Sequence, residues 1–359
     1  MKKVLIETHH LYYWPNFLPV VQEMLKRGTY DIYVSMPVRS SLIQENILSN
    51  ACKSAEISFL SAETEDKRIK KLNDIDFDII IVGNVGQLNK ISSSRALVVM
   101  VYHGIGLKQS YYKDIDPRVD IRSVESVARL NELKSHGHDN IVLTGYTKLD
   151  RLMNFSNSEI KSTNQKLELD PDKKSVLYAP SFYPTSIDKL HPYLLELSQD
   201  HNIIIKLHGF SWEQKKYQYQ NSLCSELSKN SNTIHLLQNE DYDIIPYYLS
   251  ADMLISDISS TLFEYLPMDK PIIQAQCYNL KLKHRIFNKR FWKKMDIDRQ
   301  DNVDFAYQIV EADDILGMVY YAMDNHDEMS TKRKEATEHY LYKVDGNASS
   351  RLIDAIEAY

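Results

Sequence analysis

The feature that most limits the fold is a series of short apolar runs, each closed by a polar or glycine-containing turn and separated from the next by enough chain for a helix. Lys3–Ile6, Asp31–Ser35, Ile57–Leu60, Asp78–Val82 and Ala96–Tyr102 form one series; Ser175–Tyr178, Ile203–Leu207, Thr233–Leu236, Met253–Ile255 and a run opening at Pro271 form another. Brief β-branched runs of this kind read as strands buried on both faces, and the long intervals between them suit parallel crossovers. Helices fit those intervals: an apolar stripe across Phe17–Lys26 is closed by Gly28, and a second helix is expected near Ser41–Ser49. The chain therefore reads as α/β with two similar halves, each a doubly wound sheet whose ligands sit outside the carboxyl ends of the strands.

At 359 residues the length fits two domains. We expect an N-terminal domain over 1–154, a linker over 155–174 where Asn, Ser, Lys and Asp dominate, a second domain over 175–330, and a polar helical segment over 331–359 that crosses the junction. Hydrophobic residues at 43% and charged residues at 26% are ordinary for a globular chain. No apolar run approaches a spanning helix, and the apolar part of the N-terminus is too short for a signal peptide, so a cytoplasmic location is expected. Cys52, Cys224 and Cys277 are too few and too scattered for a disulfide framework or a zinc site. A net charge of -6 does not suggest nucleic acid as a partner. No acidic cluster with metal-ligand spacing accompanies the motifs, and neither a metal nor a cofactor is expected.

Chemistry is suggested at three strand ends. The stretch Asp257-Ile-Ser259-Ser260-Thr261 follows the run Met253–Ile255 and opens a helix expected from about Ser260 to Pro267. Backbone N–H groups and hydroxyls at such a junction can hold a phosphate, although Ser and Asp also cap helices with no ligand at all. His103 follows a strand in the first half and His208 follows one in the second, each trailed by glycine. A single histidine at a strand end is structural more often than catalytic; two in matching positions, beside a phosphate-type turn, point to proton transfer and anion binding. The stretch Glu7–Trp14, with His9 and His10 at the end of the first strand, either contacts an acceptor or is a packed loop.

One basic run spans Lys281, Lys283, Arg285, Lys289, Arg290, Lys293 and Lys294 around Phe287, Phe291 and Trp292, with no acidic residue among them. It is either a solvated face or a contact with an anionic membrane surface, where each Lys or Arg adds about 1 kcal/mol.

The segments also resemble those of the CDP-glycerol glycerophosphotransferases, enzymes that build teichoic acids and related capsule polymers. His103-Gly-Ile-Gly-Leu-Lys108 is similar to that family's HG-x-x-LK, Gly145-Tyr-Thr-Lys-Leu-Asp150 to GYPRxD, Tyr178-Ala-Pro-Ser181 to YAPT, Ser256-Asp-Ile-Ser-Ser260 to TDYSS and Asp345-Gly-Asn-Ala-Ser349 to DGxAS. Lys206-Leu-His208 falls where the family has a basic residue and a histidine. The resemblance implies a GT-B fold, two facing Rossmann-like domains with an interdomain cleft, and metal-independent transfer of glycerol phosphate from CDP-glycerol to a lipid-linked or polymeric glycan acceptor at the inner membrane face. By position, His103 would be the base, and His208 with Lys206 would contact the donor pyrophosphate. Ser259 and Ser260 would clamp its phosphates, Glu264 would reach the ribose, and Thr261, Ser181 and Lys108 would complete the substrate site. Gly106, Thr147-Lys148 and Gly209 stand where the family has Pro, Pro-Arg and Pro, which leaves the activated alditol open. The chain lacks the extra N-terminal region of the long polymerases, so addition of one or a few units is expected. Alternatives are another GT-B enzyme, either a glycosyltransferase or a sugar-nucleotide 2-epimerase that would act without an acceptor, and a non-catalytic nucleotide-binding protein.

Overall fold

The computed structural model describes residues 1–38, 41–91, 95–105, 116–287, 289, 292 and 302–359. Lys108, Arg290, Phe291, Lys293 and Lys294 of the expected site and surface lie outside these described residues.

The chain divides into two compact units, one of residues 1–104, 112–154 and 339–359, the other of 105–111 and 155–338. In the first, seven strands make one parallel sheet: β1 (Lys2–Glu7), β2 (Tyr30–Ser35), β3 (Ser58–Leu60), β4 (Ile79–Val82), β5 (Leu97–Val101), β6 (Ile121–Val124) and β7 (Ile141–Leu143), in the order β3-β2-β1-β4-β5-β6-β7. All four residues of β4 are buried, as a strand covered by helices on both faces requires. The register aligns Val4 with both Ile32 and Ile79. The expected first helix runs Trp14–Arg27; Phe17, Val20, Val21 and Met24, spaced for one helical face, are all fully buried. Gly28, at φ 68°, ends it in the left-handed conformation.

In the second unit six strands form the order β10-β9-β8-β11-β12-β13, again all parallel. They are β8 (Lys174–Ala179), β9 (His201–Ile205), β10 (Ile234–Leu236), β11 (Met253–Ser256), β12 (Ile272–Ala275) and β13 (Tyr307–Ile309). Val176, Tyr178, Ile203, Ile205, Met253, Ile255 and Ile273 share one apolar core with the helices Ile187–Leu197 and Asp314–Asp324. Residues 155–174 carry the helix Asn157–Lys166, started by a reciprocal pair in which Ser156 and Glu159 cap each other's backbone. Cys52, Cys224 and Cys277 are buried, free thiols.

From His339 onward the chain packs with the first unit. The Asp150 carboxylate accepts hydrogen bonds from the backbone N–H of Ala348 (2.8 Å) and Ser349 (2.7 Å) at the start of the last helix, Ala348–Ala358. Arg351 donates to the Thr144 carbonyl at 2.6 Å and pairs with Asp345, while Arg27 pairs with Asp354 and Glu357. Gly145 sits at φ 94°, and a Cβ there would fall 2.6 Å from the Tyr342 carbonyl oxygen. Two segments that carry the family resemblance, Gly145–Asp150 and Asp345–Ser349, therefore meet each other and hold the last helix in place.

Candidate active site

Each sheet reverses its strand order once, between β1 and β4 in the first unit and between β8 and β11 in the second. Beyond the carboxyl edge at such a reversal the two neighbouring loops diverge and leave a crevice. The sequence-expected residues gather at these edges.

In the first unit, β4 ends at Gly83 and β5 leads to Tyr102 and His103. His103 Nδ1 lies 2.9 Å from the Gly83 carbonyl oxygen. A carbonyl can only accept, so Nδ1 carries the proton and Nε2 of the neutral ring holds a lone pair. The imidazole lies nearly parallel to the Tyr13 ring, with centroids 3.9 Å apart and a 12° interplanar angle, and Asn84 donates to the Tyr13 hydroxyl at 2.9 Å. Gly83 makes room for this stack, because a Cβ there would come within 2.7 Å of Tyr13 Cδ2. The result is a histidine fixed in tautomer and in ring plane, as a general base requires.

Tyr13 belongs to the stretch Glu7–Trp14 that the sequence leaves open as an acceptor contact, whereas Gly83 and Asn84 show in the sequence only as the end of the run Asp78–Val82. Of the two open histidines, His9 is packed, 1% exposed and set where a Cβ on Gly86 would collide with its ring. His10 is half-buried and stacks on Tyr12 at 5.2 Å, and Tyr12 in turn lies edge-on to His103 at 6.1 Å. Below them, β1 is anchored at Glu7, whose carboxylate pairs with Arg68 at 2.9 Å, both fully buried. Arg68 also bonds Ser35 and Glu65, so this buried charge is satisfied from three sides.

In the second unit, the loops after β8, β9 and β11 are bolted together. Ser256 donates to the Ala179 carbonyl at 2.6 Å and shares a hydrogen bond with Thr261 at 2.8 Å. Asp257, fully buried, accepts from the backbone N–H of Ser181 (2.6 Å) and of Ser186 (3.0 Å) and from the Ser186 hydroxyl (3.1 Å). Burial pushes its carboxyl up to about 7, against the downward pull of those donors. Asp257 is thus a strut between two loops.

The helix expected over Ser260–Pro267 is a single turn, Thr261–Glu264, followed by a 3-10 turn at Leu266–Met268. Pro267 lacks the N–H that would continue the helical bonding, and one turn aligns too few peptide dipoles for a strong macrodipole. What the turn does present is hydroxyls. Ser259 Oγ accepts from the Thr261 N–H at 3.3 Å and keeps its own proton to donate, and Ser260 Oγ has no hydrogen-bond partner among the described residues; both are half-buried. Thr261 is bonded to Ser256, and the Glu264 carboxylate is 1% exposed and accepts from the Tyr248 hydroxyl at 2.9 Å. Ser181, 7% exposed, has its N–H on Asp257.

After β9, Lys206 is half-buried with its ammonium 3.4 Å from the Leu207 carbonyl. His208 opens the short helix Gly209–Glu213, and its Nδ1 accepts from the Phe210 N–H at 3.1 Å. That bond uses the Nδ1 lone pair, so Nε2 bears the proton. The two strand-end histidines therefore hold opposite tautomers, an acceptor at His103 Nε2 and a donor at His208 Nε2. Among the described residues, no group of His, Cys, Asp and Glu has the geometry of a metal site.

The profile of the CDP-Glycerol:Poly(glycerophosphate) glycerophosphotransferase family matches residues 131–358, well over half of the chain. The chain belongs to this family. Family members similar to it include a teichoic acid poly(glycerol phosphate) polymerase of Staphylococcus epidermidis, 26% identical over 187 residues, which are 51% of this chain and 23% of that protein. Another is the teichoic acid ribitol-phosphate polymerase TarK of Staphylococcus aureus, 26% identical over 233 residues, covering 60% of this chain and 40% of the relative. The chain thus spans well under half the length of these relatives. The solved structure of the wall teichoic acid polymerase TagF superposes with a TM-score of 0.71 at 16% identity, covering 99% of this chain and 88% of that one. At that identity the likeness speaks to the fold, which is the two-domain GT-B type.

Proposed function

We propose that the chain transfers glycerol phosphate from CDP-glycerol to a hydroxyl of a lipid-linked or polymeric cell-surface glycan, releasing CMP. Family membership supports the reaction class, and the observation that carries the mechanism is the Gly83 carbonyl on His103 Nδ1. In this reading His103 Nε2 takes the proton of the acceptor hydroxyl as its oxygen attacks the phosphorus that bears glycerol. The bond from that phosphorus to the bridging oxygen breaks, and CMP leaves with the electron pair. His208 Nε2–H, Lys206 and the hydroxyls of Ser259 and Ser260 can each donate a hydrogen bond, which matches a pyrophosphate gaining charge on its leaving side. Ser181, Thr261 and Glu264 shape the donor pocket around these groups, with Glu264 facing the ribose, and Lys108 joins the site by family position. CDP-ribitol is the second donor to test, because a ribitol-phosphate polymerase is as similar to the chain as a glycerol-phosphate polymerase.

The test is CMP release from CDP-glycerol by the purified protein with a glycerol-phosphate-primed lipid acceptor. His103→Ala should lower kcat by about 10²- to 10⁴-fold, the usual worth of a positioned base. Full activity in that variant would remove His103 from the mechanism, and absence of CMP release from either CDP-alditol with wild type would remove the reaction.

We propose further that the protein docks peripherally on the inner membrane face through its basic-aromatic run. Lys281, Lys283, Arg285 and Lys289 surround Leu282, Ile286 and Phe287, which are 73%, 66% and 57% exposed. Trp292 is half-buried, with its ring 6.1 Å from Tyr278; Arg290, Lys293 and Lys294 belong to the run by sequence. Among the described residues no helix is long and apolar enough to cross a membrane.

A further inference from the structure

A small cavity of about 120 Å³ opens in the second unit between Tyr183, Tyr217, Tyr219, Lys216, Lys281 and Asp188. Its walls come from the loops after β8, β9 and β12, on the edge of the sheet that carries His208. The Phe182 ring links the two places, 4.7 Å from the His208 ring and 5.1 Å from that of Tyr217.

The balance of donors and acceptors in this cavity is uneven. Its acceptors are in use: Asp188 accepts from Asn279, and the Asn279 carbonyl oxygen accepts from Arg285. The ammonium groups are not. Lys216 Nζ lies 4.7 Å and Lys281 Nζ 5.3 Å from the centroid of Tyr217, Lys281 also 5.0 Å from that of Tyr183, and neither has a hydrogen-bonding or carboxylate partner among the described residues. Both sit against one ring, so they are separated by no more than about the Debye length at 0.1 M salt and repel each other. A lysine on an aromatic face keeps its N–H groups available for an anion. The volume leaves room for a phosphate group.

We infer that this cavity binds a phosphodiester of the acceptor chain. The inference rests on the proposed reaction, in which His208 holds the donor pyrophosphate. A polyol-phosphate acceptor carries its nearest phosphodiester one repeat back from the reacting hydroxyl, so that second anion arrives close to the pyrophosphate. It is repelled there unless cations receive it, and Lys216 and Lys281 stand two aromatic rings, Phe182 and Tyr217, from His208. Lys281 accordingly divides from the rest of the basic run: it serves the acceptor, and Lys283 and Lys289 remain for the lipid surface.

Calorimetry with a synthetic glycerol-phosphate tetramer and the full chain tests the inference independently of turnover. In the Lys216→Gln, Lys281→Gln double variant the tetramer should bind about tenfold or more weakly, as loss of two charged contacts implies, while the dissociation constant for CDP-glycerol stays within twofold. The exposed neighbour Lys215→Gln should bind both as wild type does. Unchanged tetramer binding overturns the inference. An equal loss for CDP-glycerol overturns it in favour of a nucleotide subsite, and a loss confined to phosphatidylglycerol vesicles overturns it in favour of a lipid headgroup. Tetramer binding lost as expected, in a protein that releases no CMP, would keep the site and refute the reaction.

Discussion

Substituting Asp257 by Asn should change how stability depends on pH, and the size of the change follows from the burial of one carboxylate. In the folded chain the Asp257 carboxyl is raised from its ordinary 3.8 up to about 7, with burial the largest cause. Between those two values the folded protein holds a proton that the unfolded chain has released, so stability is greatest at the acid end and falls as pH rises through the window. Each pH unit is worth about 1.4 kcal/mol, which makes the whole window worth roughly 4 kcal/mol at most. The surroundings accommodate both states. When Asp257 is protonated on the oxygen facing Ser186, that O–H can donate to the Ser186 hydroxyl, which then donates to the Tyr178 hydroxyl 2.9 Å away, and both backbone donors keep an oxygen to bond. Asparagine cannot titrate. Urea unfolding of wild type and Asp257→Asn at a series of pH values from 5 to 8 should therefore give curves that converge or cross, the wild type losing about 3 kcal/mol relative to the variant over that range. Parallel curves, with a constant difference at every pH, would refute the reasoning and mean that the three donors to the carboxylate outweigh its burial.

Three further outcomes follow from the same geometry. Asp150→Ala leaves two backbone N–H groups at the head of the last helix without their acceptor, which should cost roughly 3 kcal/mol, read as a lower urea midpoint with an unchanged slope. His208→Gln keeps a side-chain N–H donor and should hold CDP-glycerol within about tenfold of wild type, whereas His208→Ala should weaken it further; the reverse order would show that the His208 proton is not what the donor uses. Sedimentation with phosphatidylglycerol vesicles should fall with rising salt and weaken by about 1 kcal/mol for each of Lys289, Arg290, Lys293 and Lys294 neutralised; salt-independent binding would mean the contact is not electrostatic.

The central strands were legible because they are buried on both faces and so carry no polar residue to interrupt the run, as in Ile79–Val82 and Ile203–Ile205. Three outer strands, β6, β7 and β13, were not, although the edge strands β3 and β10 were. β6 contains Arg122, which is 1% exposed and donates to the Asp116 carbonyl, and such a buried charge breaks the apolar signature on which a strand is recognised. β7 and β13 are three residues each, but so are β3 and β10, and length alone does not separate the strands that were read from those that were not. At the site, His103 and His208 were visible as strand-end histidines. Tyr13, Gly83 and the strut Asp257–Ser186 were not, because their roles depend on loops from different strands coming together. Similarity of motif also hid a division of labour. Asp150 and Asp345 are spent on fastening the last helix, and only the geometry separates them from residues that face the strand-end crevices.

The opposed tautomers of His103 and His208 come from a difference in what lies beyond each strand end. β5 leads to His103 beside the end of β4, where a carbonyl, Gly83 O, is left over from a finished ladder, and a leftover carbonyl makes the nearby imidazole nitrogen a donor. After β9 and three further residues a short helix opens at Gly209, whose first N–H groups lack helical partners, and such an N–H makes the nearby nitrogen an acceptor. The far nitrogen of each ring takes the opposite role. Two parallel sheets, one leaving a carbonyl beside a strand-end histidine and the other a helix start, can thus place a proton acceptor and a proton donor on the same residue type with no change of side chain. A phosphoryl transfer needs both, one to receive the proton of the nucleophile and one to meet the charge on the leaving side.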